Sequence, residues 1–106
     1  MHDFVKAFTR QELKPGEMVS LAIDDRMVIL FRSLNDEFYC IDDVCTHDGG
    51  TLSDGEIVGN EVVCPRHGAR FALDSGRAMC MPATQDTLAH EVKLDGDDIL
   101  VRIHEE

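Results

Sequence analysis

The chain has 106 residues, of which 43% are hydrophobic and 29% charged, a balance that predicts one small folded domain and excludes a disordered protein. Its formal net charge of −11 argues against nucleic acid and anionic membranes as partners, because a surface this negative repels both. No apolar run approaches the roughly 18 residues of a membrane span, and the N-terminal sequence MHDFVKAFTR lacks the apolar segment of a secretory signal, so we expect a cytoplasmic location.

Short strand-like runs separated by turn residues fill most of the chain. Turn pairs such as Asp24-Asp25 and Gly59-Asn60 predict antiparallel hairpins between neighbouring runs. A short helical turn is predicted near Thr9–Leu13, before Lys14-Pro15-Gly16 ends it. The predicted strands are Met18–Ile23, Arg26–Arg32, Glu37–Asp42, Glu56–Val58, Glu61–Val63, Arg70–Leu73, Ala78–Met81, Leu88–Leu94 and Ile99–His104. The pattern indicates an all-β fold, an antiparallel sandwich or barrel.

Two segments that pair a cysteine with a histidine depart from this strand pattern. The first is Cys45-x-His47 within CTHDGG, and the second is Cys64-x-x-His67 within CPRHG, with 16 residues between the two pairs. Each segment follows a strand-like run, and structured loops on a β scaffold are well suited to present ligands. A reducing cytosol disfavours disulfides, so we interpret the two pairs as metal ligands rather than as bridged cysteines.

This spacing, with its glycines and proline, resembles the Rieske ferredoxin family in the soluble bacterial form that serves ring-hydroxylating dioxygenases. The resemblance covers roughly residues 37–103 and includes Cys80-Met81-Pro82-Ala83, which is similar to the family's proline-containing third loop. It implies a Rieske-like antiparallel β-sandwich or barrel with a small cluster-binding subdomain formed by two ligand loops. A single Rieske domain would span residues 1–106, with base strands at about 1–42 and 82–106 and the subdomain at about 43–81.

The resemblance further implies one Rieske-type [2Fe–2S] cluster. Cys45 and Cys64 would bind one iron as thiolates, and His47 and His67 would bind the other through neutral imidazole nitrogens. Two neutral ligands in place of two thiolates leave the oxidised unit without formal charge, which raises the reduction potential above that of Cys-only clusters.

Four positions within the loops distinguish members of the family. Gly50 and Arg66 stand where respiratory-chain members have two cysteines that form a disulfide, so that bridge cannot form here. Ala69 and Phe71 stand where high-potential members have a serine and a tyrosine whose hydroxyls donate hydrogen bonds to the cluster and to a ligand sulfur. Both differences predict a soluble ferredoxin of low potential.

The function implied is that of a monomeric electron carrier, not an enzyme, that accepts an electron from a ferredoxin reductase and donates it to a terminal oxygenase. One alternative is a Rieske-like small subunit of a nitrite reductase, or a ferredoxin linked to iron–sulfur assembly. Another is a structural zinc module, since zinc uses the same ligand types, although structural zinc sites usually pair cysteine with cysteine and histidine with histidine. A cysteine nucleophile with a histidine base would leave the second Cys-His pair unexplained.

The remaining reactive side chains receive structural interpretations. Cys40 and Cys80 are expected to be small buried hydrophobic residues, with a disulfide between them as a less favoured option in the cytosol. His2, His90 and His104 are expected to have no ligand role. Asp42 and Asp43, which precede the first ligand loop, are interpreted either as surface charge or as part of a docking rim.

Overall fold

The computed structural model describes residues 3–46, 49–65, 68–81 and 85–104. Within these ranges the regular structure is ten β-strands and one short 3-10 helix over Arg10–Glu12. The strands are β1 Val5–Thr9, β2 Met18–Ile23, β3 Arg26–Arg32, β4 Phe38–Asp42, β5 Glu56–Val58, β6 Glu61–Val63, β7 Arg70–Ala72, β8 Ala78–Cys80, β9 Ala89–Asp95 and β10 Asp98–Arg102. No helix among the described residues is long and apolar enough to cross a membrane.

The strands form two antiparallel sheets. The larger sheet has six strands in the order β1-β10-β9-β4-β3-β2, and the smaller has four in the order β5-β6-β7-β8. The predicted all-β antiparallel fold is therefore confirmed. Strand β1 was not predicted from the sequence, but it pairs with β10 along the edge of the larger sheet.

The hairpin between β2 and β3 illustrates how the sequence specifies a turn. Asp24 and Asp25 both have positive φ angles, +51° and +64°, and the flanking residues Ile23 and Arg26 face each other in the ladder. Two consecutive left-handed residues match the right-handed twist of the paired strands, and aspartate tolerates this conformation better than most residues. The predicted two-residue hairpin is therefore present.

Strand β3 separates two hydrophobic cores. Its residues Val28–Phe31 are at most 1% exposed, because successive side chains point to opposite faces of a strand and both faces are covered here. Val28 and Leu30 pack in a core inside the larger sheet, with Leu13, Ile23, Cys40, Ile99, Val101 and Ile103. Ile29 and Phe31 pack in a second core, which joins the larger sheet to the smaller one and includes Ile41, Cys45, Leu52, Val62, Cys64, Ala69, Phe71 and Leu73.

Candidate metal centre

Two of the four predicted ligands meet in the core that joins the sheets. Cys45 follows the end of β4 and is 0% exposed, and Cys64 follows the end of β6 and is 1% exposed. Both belong to the same buried cluster, although 18 residues separate them in the sequence. The other two predicted ligands, His47 and His67, lie outside the described residues.

The loop that begins at Cys45 closes through two backbone hydrogen bonds. The N–H of Cys45 donates to the carbonyl of Gly50 at 2.8 Å, and the N–H of Gly49 donates back to the carbonyl of Cys45 at 2.7 Å. Gly49 has a φ of +76°, in the left-handed region that costs residues with a Cβ roughly 1–2 kcal/mol. The glycine therefore allows the chain to turn back on the cysteine within four residues.

The loop that begins at Cys64 repeats this geometry. The N–H of Cys64 donates to the carbonyl of Ala69 at 2.7 Å, and the N–H of Gly68 donates back to the carbonyl of Cys64 at 3.1 Å. Gly68 has a φ of +75°, within one degree of the glycine at the corresponding position of the first loop. The two loops thus have the same pair of backbone hydrogen bonds, with a glycine four residues after each cysteine. The backbone at Cys45 and the backbone at Cys64 are therefore held in the same way.

The first loop is anchored by the carboxylate of Asp43, which was predicted to lie at the surface but is buried. Asp43 is 2% exposed, so its assignment to the surface or to a docking rim is wrong. Its Oδ1 accepts the N–H groups of Leu52 and Ser53, both at 2.8 Å. Its Oδ2 accepts the hydroxyls of Ser53 at 2.7 Å and Ser20 at 2.9 Å. The position of Asp43, two residues before a predicted ligand, was the only sequence signal of this role.

Asp42, the neighbouring carboxylate, faces a different set of partners. Its Oδ1 lies 2.7 Å from Nε2 of His90, and its Oδ2 accepts a hydrogen bond from Arg26 at 3.0 Å. The side chain of His90 is 0% exposed, and its Nδ1 accepts the backbone N–H of His104 at 3.0 Å. Both ring nitrogens of His90 therefore bond to protein groups, and the histidine joins β4, β9 and the segment after β10.

Comparison with known proteins places these loops in a family. Residues 3–102 match the family model of the Rieske [2Fe–2S] domain. The chain belongs to this family. The predicted class of cofactor, a Rieske-type [2Fe–2S] cluster, is confirmed by this match, and it favours an iron–sulfur centre over the structural zinc alternative.

Curated relatives of the chain include ferredoxins of dioxygenase systems. The chain is 31% identical over 92% of its length to the ferredoxin component of a naphthalene 1,2-dioxygenase system from Pseudomonas aeruginosa, covering 93% of that protein. It is 37% identical over 81% of its length to the ferredoxin subunit of a 3-phenylpropionate/cinnamic acid dioxygenase from Escherichia coli, covering 82% of that protein. The predicted class of protein, an electron-carrying ferredoxin rather than an enzyme, is confirmed.

Structural comparison gives the same result for the fold. The ferredoxin of carbazole 1,9a-dioxygenase from Nocardioides aromaticivorans has a TM-score of 0.87 and 31% identity, covering 92% of this chain and 95% of that one. A complex of reduced oxygenase and oxidized ferredoxin of a carbazole 1,9a-dioxygenase contains a chain with a TM-score of 0.85 and 25% identity, covering 93% and 92% of the two chains. A nitrite reductase small subunit from Mycobacterium tuberculosis has a TM-score of 0.85 at 21% identity, with coverage of 100% and 99%, and shares the fold.

The described part of the Rieske loops fits the implied cluster. Two buried sulfur donors on loops of matching geometry suit an iron that is bound by two thiolates. Among the described residues no group of three or more His, Cys, Asp or Glu side chains converges on a metal position, and the two histidines that would complete the site are outside those residues. The core that contains the two cysteines is apolar at the positions of Ala69 and Phe71, which are both 0% exposed.

A third segment of the Rieske domain lies against the first loop and the smaller sheet. The hydroxyl of Thr46 donates to the carbonyl of Gln85 at 2.5 Å, and the carboxylate of Asp86 accepts the N–H of Ala78 at 2.8 Å. These bonds attach the chain after β8 to the first loop and to the smaller sheet. Pro82 and Ala83 of the predicted third loop lie outside the described residues.

Of the two cysteines that were predicted to be buried and to have no ligand role, one is exposed. Cys80 is exposed on the edge strand β8, so the expectation that it is buried is wrong, whereas Cys40 is 2% exposed as predicted. No disulfide joins the two. The thiol of Cys80 lies 3.6 Å from the carbonyl oxygen of Gly68, which places it beside the second loop.

Proposed function

We propose that this chain carries one electron at a time on a single Rieske [2Fe–2S] cluster, from a ferredoxin reductase to the terminal oxygenase of an aromatic ring-hydroxylating dioxygenase system. The observation that carries the proposal is the pair of matched loops, which bring two buried cysteines into one core. Ferredoxins of a naphthalene and a phenylpropionate dioxygenase are 31% and 37% identical to this chain, and the ferredoxin of a carbazole dioxygenase shares its fold at 31% identity.

The proposal assigns the ligands residue by residue. Cys45 and Cys64 hold one iron as thiolates, and His47 and His67 hold the other through imidazole nitrogens. When bound, the cluster supplies a one-electron couple whose oxidised form has no formal charge. The chain's own contribution is to fix the two sulfurs on hydrogen-bonded loops and to pack Ala69 and Phe71, each 0% exposed, in the same core.

The proposed division of the chain into a cluster-binding subdomain and a base follows the two sheets. Residues at about 43–81 form a cluster-binding subdomain, and residues at about 1–42 and 82–106 form the base that carries it. The strand order supports this division, because β5 to β8 form the smaller sheet and the other six strands form the larger one. The proposal also places the protein in the cytoplasm as a monomer, which is consistent with a freely diffusing carrier.

Charge is proposed to steer the carrier to its partners. The formal net charge is −11, and transient redox complexes bury little surface, so long-range attraction contributes much of their association rate. The partner surfaces that fit are therefore basic. Raising the salt concentration should slow electron transfer between this chain and its partners, because charges more than about 8–10 Å apart are screened at physiological ionic strength.

The ligand assignment is tested with cysteine variants of the purified protein. Cys45→Ala and Cys64→Ala should each lose the visible absorption and the bound iron, whereas Cys40→Ala and Cys80→Ser serve as matched controls and should keep both. Metal binding is coupled to folding of the loops that hold it, so we expect the loss to be accompanied by loosening of the subdomain. Retention of the full spectrum by Cys64→Ala would contradict the assignment.

The assignment to a dioxygenase system is tested by reconstitution. The ferredoxin is mixed with a reductase and the terminal oxygenase of an aromatic dioxygenase, and product formation is measured with and without the chain at several salt concentrations. We expect turnover that depends on the chain and falls as ionic strength rises. Electron delivery to a nitrite reductase catalytic subunit, but not to the oxygenase, would replace the proposal with the nitrite reductase alternative.

A further inference from the structure

One buried carboxylate connects the first ligand loop to the larger sheet. The N–H of Asp43 donates to the carbonyl of Met27 on β3 at 3.0 Å, and its carboxylate accepts the hydroxyl of Ser20 on β2 at 2.9 Å. The same carboxylate accepts the two consecutive N–H groups of Leu52 and Ser53, at the far end of the loop, both at 2.8 Å. Asp43 therefore bonds to β3 through its backbone N–H, and through its carboxylate it ties β2 to the far end of the loop.

We propose that Asp43 is a positioning residue that holds the Cys45 loop on the base and, through its buried negative charge, lowers the reduction potential of the centre. This inference rests on the proposed function, since it concerns the cluster that Cys45 would hold. The two parts of the proposal, positioning and charge, have separate physical grounds.

The positioning part follows from burial. Leu52 is 0% exposed and packs in the same core as Cys45, so its backbone N–H cannot turn to water if the carboxylate is removed. An unsatisfied buried donor costs the desolvation of that group, and loss of Asp43 would leave the N–H groups of both Leu52 and Ser53 without their acceptor. The end of the loop would then move away from the base to find water, and the sulfur at its start would lose its fixed position.

The charge part follows from distance and from the partners of the carboxylate. Two residues of extended chain span at most about 7 Å between Cα atoms, so the buried Asp43 lies near Cys45, the residue that would hold the iron. The partners of the carboxylate among the described residues are two amides and two hydroxyls, all neutral. Reduction adds a negative charge to the centre, and a buried carboxylate repels it with little screening by salt.

Asp54 provides a matched comparison in the same loop. It is exposed to solvent, and its carboxylate accepts the hydroxyl of Thr51 at 2.6 Å. Water and salt screen a charge at this position much more strongly than a buried one. Removal of the charge at Asp54 should therefore affect the reduction equilibrium much less than removal of the charge at Asp43.

The test compares three variants of the holoprotein by iron content, visible spectrum and voltammetry. In Asp43→Asn the amide oxygen still accepts from Leu52 and Ser53, and the hydroxyls of Ser20 and Ser53 can rotate to accept from its NH₂ group. We expect this variant to keep its cluster and to favour the reduced form at least tenfold more than wild type, which is about 59 mV for one electron. Asp54→Asn should shift the equilibrium less than threefold, and Asp43→Ala should lose most of its iron.

Amide hydrogen exchange of the wild-type protein supplies a readout that depends on no variant folding. We expect the N–H groups of Leu52 and Ser53 to be protected as strongly as those of β3, with and without iron. Exchange as fast as that of Gly59 and Asn60 at an exposed hairpin turn would overturn the positioning part, and so would full iron content in Asp43→Ala. Equal shifts in Asp43→Asn and Asp54→Asn would overturn the charge part. A wild-type protein that binds no iron–sulfur cluster would instead overturn the proposed function.

Discussion

The backbone N–H of His104 donates to Nδ1 of His90 at 3.0 Å, which fixes the hydrogen-bonding role of each nitrogen of a buried ring. Because Nδ1 accepts this bond, Nε2 is the ring nitrogen that donates. Nε2–H then donates to Oδ1 of Asp42 at 2.7 Å. His90 thus connects β4, β9 and the segment after β10, and β4 is the strand that leads into the Cys45 loop.

This relationship predicts that His90→Ala destabilises the base of the fold. The substitution leaves the N–H of His104 without its acceptor and removes one donor from Asp42. The loss of two hydrogen bonds, worth about 0.5–1.5 kcal/mol each, adds to the cavity left by the buried ring, so the free energy of unfolding in urea should fall by about 2–4 kcal/mol in total.

The matched control is His104→Ala. The side chain of His104 is exposed, and the bond to His90 uses its backbone N–H, which alanine keeps. We expect a change within about 0.5 kcal/mol, as for most surface substitutions. Equal destabilisation by both substitutions would contradict the role assigned to the buried ring.

The sequence predicted most strands because alternation and turn residues are local signals. The Asp24-Asp25 and Gly59-Asn60 turns fall where predicted, and they set the register of the strands on either side. Strand β1 was missed for two physical reasons. Its residues Val5–Thr9 are exposed or half-buried, so the apolar alternation is weak, and its register shifts between Lys6 and Phe8, which interrupts the period of two on which the prediction depends.

The errors within the site concern which side chains turn inward. Asp43 is buried because Ser20, Leu52 and Ser53 supply hydrogen bonds from distant parts of the chain, and a sequence pattern does not contain that information. Cys80 is exposed because β8 is the edge of the smaller sheet, and strand order depends on tertiary pairing. The two loops that begin at Cys45 and Cys64 were predictable, because the spacing of each cysteine to histidine and glycine is a local property of its loop.

The buried thiol of Cys40 predicts that the free energy of unfolding falls at alkaline pH. Burial, followed by the negative charge of Asp42, raises the pKa of its thiol from the ordinary value of 9.0 to about 12. Between these pH values the unfolded chain has released this proton and the folded chain has not, so the folded state binds more protons and stability falls as pH rises. The effect of Cys40 is absent below about pH 8 and reaches at most about 4 kcal/mol at pH 12.

The measurement is the free energy of unfolding at a series of pH values in wild type and Cys40→Ala. The difference between the two proteins should shrink steadily as the pH rises above 9, because only wild type loses the contribution of this thiol. Tyr39 contributes to the slope of both proteins, since desolvation and Glu37 raise its pKa above the ordinary 10.0. A difference that stays constant up to pH 12 would show that the Cys40 thiol ionises equally in both states.

The close packing around Gly55 predicts that a substitution there prevents iron binding, although Gly55 is not a proposed ligand. A Cβ at this position would lie 1.8 Å from the carbonyl oxygen of Val63 and 3.2 Å from that of Leu52. Both obstacles are backbone atoms, and Val63 directly precedes Cys64, so the second loop must move. We expect Gly55→Ala to lose most of its iron while the larger sheet keeps its circular dichroism.

Gly59→Ala is the control for this substitution. Gly59 has a φ of +62° in the β5–β6 hairpin, and nothing lies within 4 Å of an added Cβ. The cost is then conformational only, about 1–2 kcal/mol, and the iron content should remain that of wild type. Equal iron content in Gly55→Ala and Gly59→Ala would mean that the second loop tolerates the displacement.

The apolar core that contains the two cysteines predicts a low reduction potential. Ala69 and Phe71 are both 0% exposed, and neither side chain can donate a hydrogen bond. The serine and tyrosine of high-potential relatives donate at these positions. Each such bond to a charged acceptor is worth about 1.5–3 kcal/mol, and the part that differs between the two redox states shifts the potential. Rieske potentials span about −150 to +300 mV, and we expect this protein near the lower end.

Voltammetry of the wild-type protein and of Phe71→Tyr tests this expectation. A midpoint above roughly +100 mV for wild type would contradict it, since that value lies in the upper half of the family's range. The hydroxyl of Phe71→Tyr should raise the midpoint, because a donor at this position stabilises the additional negative charge of the reduced form. Phe38→Tyr adds the same hydroxyl in the base, where Phe38 packs with the other core, and should leave the midpoint unchanged. Equal midpoints for the two variants would mean that the hydroxyl at position 71 does not reach a ligand sulfur. The absence of donors at Ala69 and Phe71 would then not explain a low potential.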